Sequence, residues 1–235
     1  SLAGIALAPL RELLYRQHKR LKRNKGFARG FEGFQFLVLD GHEGVSSYKR
    51  TWRECLERIV HCASGDRTQS YYRYVAAYLT NGEQYLMLDA ERQLPGEGEG
   101  ACAMRLLERV AERYPRAFDV VCGDNLYMDP ALWKLARRQG KHVIAVLKNE
   151  NRDLLEDARS LFERCAPLEL WRNKTRCLCW DLAGFTTWPQ CGEPVRVVRA
   201  VEERTVRRQK TGKIETLESE WFWVTSLPPD KATTA

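Results

Sequence analysis

The chain has 235 residues, with 38 Lys and Arg against 31 Asp and Glu, a formal net charge of +7 and an isoelectric point near 9.0. Hydrophobic residues make up 44% and charged residues 29%, which supports a packed core and excludes a disordered chain. No apolar run approaches the ~20 residues of a membrane-spanning helix, and eight cysteines fall well short of the roughly 8–10% of a disulfide scaffold.

Leu2–Leu10 is apolar but has no preceding basic residues and runs into Arg11, Glu12 and Arg16, so it does not read as a signal peptide. Cys55, Cys102 and Cys122 sit in apolar contexts where a reduced cysteine acts as a small hydrophobe, and the expected compartment is reducing and cytoplasmic. The sequence begins at Ser1 without Met, as a fragment would.

The first predicted element is a helix over 5–23, with Pro9 in its opening turn. Gly26, Gly30 and Gly33 then punctuate a loop. Phe34–Leu39 is a short apolar run expected to form a buried strand that ends at Asp40-Gly41. Tyr71–Leu79 and Gln84–Leu88 are two further strands, joined through Asn81-Gly82, a strong hairpin signal. After a Gly- and Glu-rich loop the period changes. Met104, Leu107, Val110, Ala111 and Tyr114 predict a helix, and Phe118–Cys122 a fourth strand ending at Gly123-Asp124. Asp129 and Pro130 open another helix, which Gly140 ends. His142–Leu147 is a fifth strand, and Asn151 caps a helix that buries Leu154, Leu155, Ala158, Leu161 and Phe162. From Pro167 onward the pattern is antiparallel β: Arg176–Leu182, Val195–Glu203, a turn at Lys210–Lys213, then Trp221–Leu227.

Positive charge is clustered at His18–Lys25 and again at Arg204–Lys213. Such clusters suit a polyanion, and equally a solvated helix face or hairpin.

Asp40 and Asp124 stand 84 residues apart, each just beyond the carboxyl end of a predicted buried strand, where open α/β sheets gather their ligand groups. A hairpin-linked strand trio followed by two helix-connected strands would set the first and fourth strands side by side and bring the carboxylates together. Two ionised carboxylates in proximity repel, and hard Mg²⁺ or Mn²⁺ removes that penalty. A pair of such ions about 3.5–4 Å apart stabilises both oxygens of an in-line phosphoryl transfer. The same aspartates also suit strand-ending turns, because Asp beside Gly commonly ends a strand.

The blocks Phe36–Gly41, Val120–Tyr127, Val143–Asn149 and Trp221–Pro228 resemble, in order, those of the DDE insertion-sequence transposases, and the resemblance spans about 34–228. It implies an RNase H-like α/β core, a mixed sheet flanked by helices with an antiparallel β-strand insertion. It also implies Mg²⁺- or Mn²⁺-dependent cleavage of double-stranded transposon-end DNA, strand transfer into target DNA, and a possible homodimer on the DNA. Asp40 and Asp124 match the two metal-binding aspartates. The family's third acid, a Glu on a helix after the strand resembling Trp221–Leu227, has no counterpart before the chain stops at Ala235, and Glu218 and Glu220 precede that strand. The expectation is therefore a catalytic-domain fragment with an incomplete two-metal site and no cleavage activity of its own. The corresponding divisions are a basic helix and linker (1–33), the first part of the core (34–164), the β-rich insertion (165–220) and a return strand (221–235). Two further expectations stand beside it: an inactive DNA-binding or assembly module derived from such an enzyme, and a stand-alone RNase H-like nuclease.

Lys148, at the end of the fifth strand, is the basic residue expected near a scissile phosphate, and Arg207, Arg208, Lys210 and Lys213 are expected backbone contacts that position DNA without reading sequence. Asp89 ends the third strand, two strands from Asp40, and reads as structural. His42 would share a face with Asp40 if the strand persists, where it could touch a phosphate or a water around the metal, but it reads first as a turn histidine. Glu97 and Glu99 suit a helix start. Cys177 and Cys179 would share a strand face, as half of a zinc site might, but their spacing is not that of a zinc knuckle, both Cys165 and Cys191 would be needed to complete it, and they read as buried thiols.

Overall fold

The structure, a computed structural model, describes residues 7–148, 152–173, 175–208 and 212–232. Among these residues it is an α/β fold of four α-helices and ten strands, in a mixed but largely antiparallel arrangement. The residues group into two compact units, one running to Cys122 and including Leu135–Lys141, the other comprising Gly123–Lys134 and the chain from His142. No described helix is long and apolar enough to cross a membrane. The eight cysteines are all free thiols.

The first unit opens with α1 (Leu7–Arg23), followed by β1 (Phe36–Ser47), β2 (Leu56–Cys62), β3 (Gly65–Thr80), β4 (Tyr85–Arg92), α2 (Glu99–Arg113) and β5 (Val120–Gly123). β3 is central. It pairs antiparallel with β1 along one edge and with β2 and then β4 along the other. Having neighbours on both edges suits a strand whose Val75, Ala76, Ala77 and Leu79 are all at most 1% exposed. β5 then adds to the other edge of β1 in parallel. α2 buries Cys102, Ala103, Leu106, Leu107, Val110 and Ala111, a stripe at helical spacing, and each buried leucine contributes about 1.5–3 kcal/mol relative to exposure. α1 buries no residue; ion pairs hold it, Arg11 to Asp89 and Glu91, and Glu12 to Arg113.

Three expectations need correction here. The strand expected to end at Asp40-Gly41 continues to Ser47, because β3 is long enough to pair with it as far as Ser47↔Ser70, across an irregularity between Glu43 and Ser46. β2 has no counterpart in the sequence reading, since Leu56 is its only buried residue and its outward side chains hide any alternation. The hairpin at Asn81-Gly82 forms, but with a four-residue connection between Thr80 and Tyr85. Asn81 Oδ1 accepts from the N–H groups of Glu83 and Gln84, and Gly82 adopts a φ of +95°.

The second unit contains β6 (His142–Val146), α4 (Arg152–Phe162), β7 (Leu168–Arg172), β8 (Thr175–Phe185), β9 (Val195–Arg207) and β10 (Ile214–Thr225). These strands form an antiparallel sheet in the order β6-β10-β9-β8-β7. The Trp221 strand is thus the second half of a longer element, β10, which begins at Ile214 just after the expected turn. On one face of this sheet α4 inserts Phe162 against Phe185 and Phe222. Arg196, 5% exposed, bonds Asp181 and the Leu227 carbonyl, pinning the segment after β10 to β8 and β9. Helix α3 (Pro130–Arg138) begins as the sequence implies, with Asp129 Oδ1 accepting from the N–H groups of Ala131 and Leu132.

Candidate functional site

Asp40 lies inside β1 rather than beyond its end, opposite Ala76 of β3. Alternation along β1 sends Leu37, Leu39 and Gly41 to the α2 side; at Gly41 an added Cβ would overlap the Glu99 carboxylate. Val38, Asp40 and His42 take the other face. There the Asp40 side chain is 57% exposed, and His42 Nε2 lies 3.5 Å from its Oδ2. The His42 ring is held by Tyr74, directly opposite it on β3 with centroids 5.4 Å apart, and by the edge of Tyr78 at 6.1 Å. Burial, the neighbouring Tyr74 and the Asp40 charge together raise the Tyr78 hydroxyl pKa above its ordinary value. The expectation of a turn histidine is therefore corrected: β1 persists, so His42 shares a face with Asp40. The signal was present as an Asp-x-His spacing that counts only if the strand continues.

Asp89 has a different environment. It is 3% exposed as a residue, its Oδ1 accepts from Arg11 Nε at 2.9 Å and from its neighbour Ala90 N, and its Oδ2 accepts from Arg109 Nε at 2.7 Å. It stands two strands from Asp40, with β3 between. Its carboxylate ties α1 and α2 to β4. Glu97 is likewise structural: Arg105 binds both its oxygens and, as the main cause, lowers its pKa.

In the second unit, Asp124 is exposed and caps a short 3₁₀ turn (Asn125–Tyr127), its Oδ1 accepting from Leu126 N at 2.9 Å. Gly123 before it lacks a side chain because the Tyr127 ring fills that space. Asn125 Oδ1 is shut off from solvent without a donor. Lys148 is exposed two residues past β6, where it lines a shallow pocket of about 300 Å³ with Leu155, Arg159, Glu220 and Phe222. Arg207 ends β9 and Arg208 follows it. Arg208 pairs with Glu215 at 2.8 Å, and Lys213 approaches the same carboxylate at 3.7 Å, so one acid partly neutralises this turn. Lys210 lies outside the described residues, as does Asn151.

Cys177 and Cys179 do share a face of β8, with sulfurs 3.4 Å apart, and Cys179 is pushed up to about 12 mainly by burial, a state that disfavours the thiolate a metal needs. Among the described residues no group of three His, Cys, Asp or Glu side chains gathers as a ready-made metal cage. Asp40 and Asp124 instead offer exposed carboxylate oxygens, the donor type that Mg²⁺ takes one or two at a time, completing its shell with water and phosphate. Compared with known proteins, the chain matches no family model, and no curated protein is similar to it.

Proposed function

We propose that this chain is the catalytic core of an RNase H-like DNA transposase of the DDE type, with Asp40 and Asp124 as its metal-holding carboxylates. The observation that carries this reading is the register of β1 and β5. They run parallel, and Phe36, Leu37 and Val38 pair with Val120, Val121 and Cys122, an offset of 84. Asp40 and Asp124 differ by the same amount, 124 − 40 = 84, and each stands two residues past the last pair. The antiparallel trio β4-β3-β1 joined to a parallel β5 also supports the RNase H-like reading.

Mg²⁺ or Mn²⁺, when bound, compensates the carboxylate charges and polarises a phosphodiester. Asp40 and Asp124 hold that charge in place. Lys148 supplies a cation for a phosphate oxygen, and Arg207, Arg208 and Lys213 position the DNA backbone without reading its sequence. The test is duplex DNA binding in the presence and absence of Mn²⁺. The reading expects Mn²⁺ to tighten binding by at least tenfold in the native chain and not in Asp40→Asn or Asp124→Asn. Binding that is salt-sensitive but indifferent to Mn²⁺ and to both substitutions would instead describe an inactive DNA-binding module.

A further inference from the structure

We infer that His42 is a ligand of the ion held by Asp40, so that the Asp-x-His pair on the open face of β1 selects a first-row transition ion such as Mn²⁺ over Mg²⁺. This rests on the metal reading above and adds a nitrogen donor to it.

Four observations carry the inference. Asp40 and His42 sit two residues apart on a continuous strand and so project from one face. His42 Nε2 and Asp40 Oδ2 are 3.5 Å apart, long for a hydrogen bond but close to the spacing of two donors sharing an ion. Bonds of ~2.0–2.2 Å place neighbouring donors about 3.3–3.6 Å apart around a tetrahedral ion and about 2.8–3.1 Å apart around an octahedral one, so the pair has to close by roughly half an ångström to chelate octahedral Mn²⁺. Nε2 is closed off from solvent and makes no hydrogen bond, a state that leaves a ring nitrogen desolvated without compensation unless something else binds it. Finally, the ring is flanked on β3 by Tyr74 and Tyr78, which hold it on the face it shares with Asp40. An imidazole in the donor set shifts preference away from Mg²⁺, which takes oxygen ligands, toward ions that accept nitrogen.

The experiment uses the full chain with Mn²⁺ and Mg²⁺ as probes, comparing native protein with His42→Ala, His42→Gln and Asp40→Asn by titration calorimetry, and recording the ¹⁴N spin-echo modulation of bound Mn²⁺. Circular dichroism melting establishes which variants fold; His42→Gln keeps a polar side chain of similar length if the alanine variant does not. The expected result is an imidazole nitrogen signal in the native protein that both His42 variants lose. Mn²⁺ affinity falls at least tenfold in those variants while Mg²⁺ affinity stays within twofold, and Asp40→Asn weakens both ions. Mn²⁺ binding that depends on Asp40 but shows no nitrogen signal and no response to His42 substitution would overturn the inference and leave the metal reading standing. Binding indifferent to Asp40 as well would overturn both.

Discussion

The two faces of the first unit's sheet treat the same side chain in opposite ways. On the helix face, Asp89 is closed off and held by Arg11 and Arg109. On the open face, Asp40 is 57% exposed, with His42 the only ion-pair neighbour among the described residues. A buried carboxylate is tolerable only when fully compensated, and Asp89 is; its charge is spent on holding helices to strands. Asp40 keeps its charge available. The contrast separates an acid tied into the structure from one left open to solvent, although each stands in a strand of alternating burial.

This contrast can be broken by substitution. Asp89→Ala removes the carboxylate that both arginines share, leaving them Glu91 and the Ala90 carbonyl, and is expected to cost about 2–3 kcal/mol in urea denaturation. A cost below about 1 kcal/mol would show that the clamp is weak. Arg11→Ala should cost less, about 1–2 kcal/mol, because Arg109 still compensates Asp89; the loss should concentrate in α1, which has no buried residue to hold it, and hydrogen exchange should rise there first. Asp40→Asn is expected to change stability by no more than about 0.5 kcal/mol in either direction while weakening divalent-ion binding, the reverse of the Asp89 pattern. The smallest effect is in pH. Glu97 has its folded pKa lowered mainly by Arg105, so its contribution is fully present above the unfolded carboxylate pKa and is lost as pH falls through the lower folded value. Glu97→Gln should flatten that part of the acid limb in a pH series of urea melts.

Much of this architecture is legible in the sequence. The helical stripes of α2 and α4, the Asp129-Pro130 start of α3, and the side-by-side placement of β1 and β5 follow from apolar period and capping chemistry, although Leu161, expected in the α4 stripe, is exposed. What was not legible lies where side chains stop reporting burial. β2 and the outer halves of β1 and β3 form a largely exposed ribbon whose Arg, Glu and Thr side chains read as loop, and backbone pairing with cross-strand contacts such as Arg58 to Glu43 and Gln69 makes it a sheet. That unread extension is what places His42 beside Asp40. Asp89 was legible as structural from its place in the strand order, but its two arginine partners come from α1 and α2, 78 and 20 residues away in the chain. No local pattern pairs them.

The most direct measurement is a double-substitution cycle in Mn²⁺ affinity, with native chain, Asp40→Asn, Asp124→Asn and the pair together. If one ion is shared, either single substitution should weaken binding about 10–100-fold and the second should add little to the first, since both remove ligands from the same ion. Losses that simply add, or an affinity that neither substitution changes, would contradict the claim that these two aspartates serve one metal site.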